Sequence, residues 1–178
     1  MRSPTAEESF YFQSAALAES IFGLSKAEQN GFAEIPALPA FLNDNFSREM
    51  REKQIPVFGG QGSLLACIYL LAVLPLEWQD KDRQHLKDVD LSQARDTAGK
   101  VAQNVARSGY DEDSCVLKHL RNSIAHGRVS FGNGNRFIFS DEYNGKTFIA
   151  EMTMEGVGEL VQALHDAATK YFISQFRK

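Results

Sequence analysis

The chain has 178 residues, of which 43% are hydrophobic and 24% charged, and its formal net charge at pH 7 is -4. This length suits one domain with its own core, and this composition excludes a disordered chain. The acidic balance excludes a general electrostatic attraction to nucleic acid, so any such contact must be local. We therefore expect a single, mainly helical domain over residues 1–178 with one functional site.

The cysteines and the first residues bear on the cellular compartment. Cys67 and Cys115 occur without a CxxC pattern or a Cys/His cluster, which indicates neither a zinc site nor a disulfide framework. The start MRSPTAEESF lacks the basic and apolar regions of a signal peptide. The most apolar run, at 63–76, is short of the roughly 18 to 20 residues that span a bilayer. We expect a cytoplasmic protein with no membrane association, no metal and no cofactor.

Apolar spacing in the first half predicts helices separated by breaks. A first helix begins within the opening residues and ends near Gly23 or shortly after, and a linker follows at 26–39. Pro39 then occupies the first turn of a second helix. A Gly-rich loop at 55–62 precedes an apolar helix that runs from residue 63 to about 79. The loop lacks the GK[ST] ending of a P-loop, so a phosphate-binding role for it is a weak alternative.

Two further helices are predicted before the periodicity changes. LSQARDTAGKVAQNVARSG, residues 91–109, is amphipathic and ends at Gly109. DEDS at 111–114 is predicted to cap the next helix, and its three acids suit the positive end of that helix dipole. This helix ends at Gly127, which can adopt the left-handed conformation that follows a last turn.

After this helix the sequence predicts two strands and a last helix. RFIFS at 136–140 and KTFIAEM at 146–152 alternate as strands do, and DEYNG at 141–145 supplies the turn. From Thr153 the helical period returns. The apolar stripe of the last helix consists of Val157, Leu160, Val161, Leu164, Ala168, Tyr171 and Phe172. The predicted fold is all-α: a compact bundle of about five to six helices with one small β-hairpin inserted before the last helix.

The helix that ends at Gly127 has two contrasting faces. At about 100° per residue, its core face carries Val116, Leu117, Leu120 and Ile124. The opposite face carries Lys118, His119, Asn122 and His126, with Arg121 on the flank. One interpretation is a plain helix end, since a His in the last turn followed by Gly is common there. The other is a cationic, hydrogen-bonding cluster that could bind an anion and move a proton.

The string RNSIAHG resembles the motif of the HEPN superfamily. In that motif an Arg, often followed directly by Asn, precedes a His near a helix end, and here these residues are Arg121, Asn122 and His126. The segment HGRVSF, followed by a hairpin and a last amphipathic helix, is similar to one bacterial HEPN-nuclease-like branch. The resemblance implies a compact helical bundle with the motif in a late helix. It also implies a homodimer in which the two motif helices face one another across a two-fold axis.

The resemblance further implies a metal-independent endoribonuclease, of the kind that serves as a toxin or phage-defence effector with an antitoxin or another regulatory partner. RNA carries its own nucleophile, the 2′-OH, so cleavage needs a group that moves protons and donors that hold the charged phosphorane. His126 suits proton transfer, Arg121 suits phosphate oxygens, and Asn122 suits the positioning of His126 or the phosphate. The predicted RNA-contacting residues are Lys118, His119 and Arg128.

Two other functions stay open at this stage. A HEPN domain can hold RNA or a nucleotide, or act as a scaffold, without cleaving its ligand. A structural dimerisation domain would use RNSIAHG only as a helix cap. The acidic total charge favours these two alternatives, because a nuclease of bulk RNA benefits from a basic surface. The combination of Arg121, Asn122 and His126 favours the ribonuclease.

Overall fold

The computed structural model describes residues 15–28 except 16, 22 and 26, residues 61–73 and residues 88–176. The predicted second helix and most of the Gly-rich loop lie outside the described residues. So do the start of the first helix, nearly all of the linker and most of the 80–90 region.

The described residues form several helices and one antiparallel sheet. A helical segment lies within residues 15–28. The next helix is α1 (Gln61–Ile68), which continues as a π-helix over Tyr69–Val73. It is followed by α2 (Ser92–Val101), α3 (Val116–Ala125) and α4 (Met154–Phe176). The strands are β1, Gln103–Ser108, β2, Val129–Gly132, β3, Arg136–Tyr143, and β4, Lys146–Met152.

The prediction of an all-α bundle with one small hairpin is wrong. The fold is mixed α/β, because the hairpin of β3 and β4 forms the centre of a four-stranded sheet with the order β1-β4-β3-β2. The segment predicted as one helix over 91–109 divides: α2 ends at Val101, Ala102 is extended, and the chain enters β1. β1 is an edge strand of mostly polar residues, so its apolar alternation is weak. Its register with β4 is irregular between Gln103 and Ala106. Its pairing with β4 supplies the hydrogen bonds that make it a strand.

The central hairpin is confirmed, but its turn is shorter than predicted. β3 extends through Tyr143, and only Asn144 and Gly145 connect it to β4, with φ values of 49° and 73°. Asn-Gly with two positive φ angles is the favoured two-residue connection, because its twist matches that of the flanking strands. Asp141 therefore belongs to a strand rather than to a turn.

One core joins the sheet to the helices. The inner face of β3 and β4 buries Phe137, Phe139, Phe148, Ala150 and Met152 completely. α4 lies in the same core through its predicted stripe, of which only Phe172 is largely exposed. α3 packs against β3 as well as against α2 and the π-helix, so more than one of its faces is covered.

The last helix begins where the helical period predicts, and the most apolar run is helical and buried in its described part. The Oγ1 of Thr153 accepts a 3.0 Å hydrogen bond from the Gly156 N–H and so caps the start of α4. The π-helix that follows α1 is buried at Leu71, as expected of the most apolar run. Cys67 lies in the same core, and burial raises the pKa of its thiol to about 11, so it stays protonated.

Among the described residues, no helix has the length and apolar character needed to cross a membrane.

Candidate active site at the end of the motif helix

α3 ends in a Schellman motif at the point where the sequence predicts a helix terminus. His126 is the C-cap residue, and Gly127 follows it with φ 65°. The Gly127 N–H donates to the Ile124 carbonyl over 3.1 Å, and the Arg128 N–H donates to the Ser123 carbonyl over 2.7 Å. These two bonds satisfy carbonyls that the helix end would otherwise leave open. The helix end that the sequence predicts at Gly127 is therefore confirmed.

The start of α3 differs from the prediction. Its N-cap residue is Cys115, which makes no side-chain capping bond, and the first turn contains no acidic residue. Within the predicted capping run at 111–114, Ser114 instead accepts a 3.2 Å hydrogen bond from Nε of Arg107 on β1. Contact with the sheet thus holds this end of the helix, a tertiary interaction that helix-capping rules do not include.

His119 lies inside the protein, and its predicted position on a polar face is wrong. It is 3% exposed, and its ring stacks on Phe148 with a centroid distance of 4.3 Å and an interplanar angle of 16°. The edge of Tyr110 contacts the same ring at 4.4 Å. A helical wheel with one core face misplaces His119 because the sheet covers a second face of α3. The RNA contact predicted from that exposed face loses its basis.

A buried carboxylate joins His119 to the motif. Asp141 on β3 is 2% exposed, and its Oδ2 lies 2.7 Å from Nδ1 of His119. The same oxygen accepts a 3.1 Å hydrogen bond from Nδ2 of Asn122, whose Oδ1 accepts a 2.8 Å bond from Nη1 of Arg121. A carboxylate can only accept, so His119 carries a proton on Nδ1. We call these four residues the Asp141 network.

Asp141 was not among the predicted site residues, although the sequence carries a signal for it. In RFIFSD the alternation of strand residues places Asp141 on the same face as Phe137 and Phe139, which are both buried. The predicted turn DEYNG began at Asp141 and so left this residue out of the strand. A carboxylate at the third inward position of a buried strand face needs hydrogen-bond donors to offset its desolvation. Such a residue is therefore a candidate for a functional site or a buried hydrogen-bond network.

The remaining predicted site residues lie at the surface end of α3. Arg121 and Asn122 are half-buried, whereas Lys118 and His126 are exposed. The His126 N–H donates to the Asn122 carbonyl over 3.0 Å, but no described contact joins the His126 side chain to the Asp141 network. Arg128 is exposed and donates from Nη1 to the Glu142 carbonyl over 2.7 Å, which ties the helix terminus to the end of β3.

Nearby phenol and carboxyl groups shape the local electrostatics. Desolvation raises the pKa of Tyr110, and the charges of Asp141 and Tyr143 act in the same direction. The Tyr110 hydroxyl therefore stays protonated beside the network. Over the described residues, no group of three or more His, Cys, Asp or Glu side chains is placed to hold a metal ion.

The family of the chain follows from comparison with known proteins. Residues 16–175 match the family model HEPN pEK499 p136, a span that contains α3 and the whole sheet. The chain therefore belongs to this HEPN family, whose domain type is commonly a ribonuclease. No curated protein and no solved structure matched the chain.

Proposed function

We propose that this HEPN domain is a metal-independent endoribonuclease in which Arg121, Asn122 and His126 act on one phosphodiester. The observation that carries the proposal is the Asp141 network, in which Asn122 accepts a hydrogen bond from the Arg121 guanidinium and donates one to Asp141 near the end of the motif helix. His126 lies one turn after Asn122 and is exposed, as a group that meets a large substrate must be. A plain helix terminus would need Gly127 but would not need this network.

The residues suit transesterification by RNA itself. The 2′-oxygen attacks phosphorus as a base removes its proton, the bond from phosphorus to the 5′-oxygen breaks, and an acid protonates that oxygen. We assign proton transfer to His126. Arg121 presents a planar pair of donors to the phosphorane oxygens, where negative charge increases in the transition state. Lys118 and Arg128 are exposed and supply further contacts to the RNA backbone.

The proposal includes a homodimer. The reaction needs a base and an acid, and one chain supplies one His126. A second copy related by a two-fold axis would bring a second His126 and a second Arg121 to the same phosphate. The exposed Lys118 and His126 on α3 are compatible with a polar, shared cleft between two motif helices.

The decisive experiment compares the wild type with His126→Ala on purified cellular RNA in the presence of EDTA. We expect RNA cleavage by the wild type and none by the variant, while both leave DNA intact. RNA that keeps its full length with the wild type would refute the proposed ribonuclease activity.

We also assign the protein to the toxins or phage-defence effectors that a regulatory partner restrains. Expression of the wild type, and not of His126→Ala, should then stop bacterial growth.

A second candidate is a HEPN domain that binds RNA or a nucleotide, or serves as a dimerisation scaffold, without cleavage. The net charge of -4 favours it, and so does the buried Asp141 carboxylate behind Arg121, which offsets part of the positive charge at the site. In the same experiment this candidate predicts RNA that is retained by the protein but unchanged in length.

A further inference from the structure

We propose that His119 and Asp141 are positioning residues, which orient Asn122 and through it Arg121 without touching RNA. The inference rests on the proposed function for its effect on catalysis. Its structural part, the orientation of Asn122, can be tested without RNA.

The pair is almost completely buried. Asp141 and His119 are 2% and 3% exposed, at positions where the neighbouring inward residues, such as Phe139, are apolar. A buried carboxylate needs hydrogen bonds to offset the loss of water, and well-packed apolar residues of similar volume often give equal or greater stability. Stability alone therefore does not account for a carboxylate here. Asp141 does provide an acceptor beneath Asn122, which an apolar residue cannot.

The direction of the Asn122 carboxamide depends on Asp141. Its Nδ2 faces Oδ2 of Asp141 at 3.1 Å, and its Oδ1 faces Nη1 of Arg121 at 2.8 Å. If the amide were rotated by 180°, an oxygen would face the carboxylate and an NH₂ group would face the guanidinium, and both contacts would be repulsive. Asp141 thus selects the rotamer in which Asn122 accepts from Arg121.

His119 has the corresponding effect on Asp141. Its Nδ1 donates to Oδ2 over 2.7 Å, and the stacked Phe148 and the Tyr110 edge hold the imidazole ring in place. The carboxylate is therefore attached to a ring that packing has already fixed. Rotation of Asp141 away from Asn122 would break this bond in a buried environment, which is costly. The direction of Arg121 is set in this way from the interior of the protein.

The test uses a double variant that replaces both buried partners, His119→Phe with Asp141→Leu, and a conservative control, Asp141→Asn. The double variant keeps an aromatic ring on Phe148 and removes donor and acceptor together, so it should stay folded. Asp141→Asn keeps an acceptor oxygen for Asn122. We expect kcat on RNA to fall by about 10- to 100-fold in the double variant, with KM changed by less than about threefold, and to stay within about threefold in Asp141→Asn. A double variant with wild-type kcat would overturn the proposal.

A second readout does not depend on RNA cleavage. The side-chain NH₂ signals of Asn122 in a ¹H–¹⁵N NMR spectrum, assigned by their loss in Asn122→Ala, should move toward those of a free amide in the double variant. They should stay near the wild-type positions in Asp141→Asn. If the wild type does not cleave RNA, the ribonuclease proposal fails while these signals still decide the positioning role. Signals that are identical in all three proteins would refute that role.

If the double variant does not fold, a second pair of variants decides the same question. His119→Asn places an amide N–H where Nδ1–H lies, whereas His119→Phe keeps only the ring. Positioning predicts that the Asn variant retains the larger kcat and the wild-type Asn122 signals. Packing alone predicts the opposite order, and that result would refute the proposal.

Discussion

His119 on α3 donates its Nδ1 proton to Asp141 on β3 over 2.7 Å, and this bond links the motif helix to the sheet across the interior of the protein. The two residues are 22 positions apart in the chain, and both are almost completely buried. The bond therefore joins α3 and β3, a contact that could not be predicted from the sequence. It also makes the stability of the fold depend on the geometry of the candidate site.

This link predicts strong coupling between the two residues in folding. Asp141→Ala leaves the buried donor of His119 and the half-buried donor of Asn122 without their carboxylate, and we expect a loss of about 3 kcal/mol in the free energy of unfolding. In the double variant that also carries His119→Ala, the loss in free energy of unfolding should be smaller than the sum of the two single losses by about 1.5 to 3 kcal/mol. Urea unfolding of the four proteins measures this cycle. Additive losses would show that the bond is not a coupled interaction.

Substitutions at the end of α3 should separate folding from catalysis. Gly127 has φ 65°, and a Cβ there would meet no atom within 4 Å, so Gly127→Val should destabilise by backbone strain rather than by a clash, by about 2 kcal/mol. His126→Ala should abolish cleavage at a cost of about 1 kcal/mol or less. Gly127→Asn is the control, because Asn tolerates the left-handed region and should lose less. Equal decreases in melting temperature in Gly127→Val and His126→Ala, with no change in RNA cleavage in either, would support a purely structural motif.

The products of cleavage test the reaction itself. Attack by the 2′-OH must leave a 2′,3′-cyclic phosphate and a 5′-hydroxyl, and 2′-deoxyribose at the scissile position must block the reaction. Without a catalytic metal, EDTA should leave the rate unchanged. Mass spectrometry of a short oligonucleotide identifies the ends. Inhibition by EDTA, or equal cleavage of DNA, would contradict the mechanism and leave the family assignment intact.

Arg121→Lys should separate binding from catalysis. Lysine keeps the positive charge but loses the planar donor fork, so we expect RNA binding to be partly retained while most of the rate is lost. Asn122→Ala should give a rate between those of the wild type and Arg121→Lys, because the guanidinium keeps its charge and loses one oriented contact. Single-turnover kinetics beside a binding titration distinguish the two effects. Equal losses of binding and rate in Arg121→Lys would assign Arg121 to binding only.

The proposed composite site predicts a dimer. Light scattering of the pure protein at micromolar concentration should report about twice 19.9 kDa. Mixing the wild type with an excess of inactive His126→Ala should then lower the activity per wild-type chain, since a mixed dimer contains only one His126. A monomer that cleaves RNA at the wild-type rate would exclude the shared site.

Much of the local structure could be predicted from the sequence. The apolar stripe of α4, the hairpin alternation of β3 and β4, and the helix terminus at Gly127 all depend on residues close together in the chain. Periodicity and turn chemistry report such short-range preferences directly. The HEPN family that RNSIAHG indicated is confirmed, and the sequence could indicate it because a motif within two turns of one helix is visible without knowledge of the fold.

The tertiary structure alone decided the sheet and the interior of the site. β1 becomes a strand because β4 offers it hydrogen bonds, although its own sequence carries few apolar residues. His119 is buried because a second layer covers the side of α3 that a helical wheel leaves to solvent. Asp141 meets Asn122 only when β3 packs against α3. Each of these outcomes depends on which surfaces face each other after folding, and local propensity carries no information about contacts between distant segments.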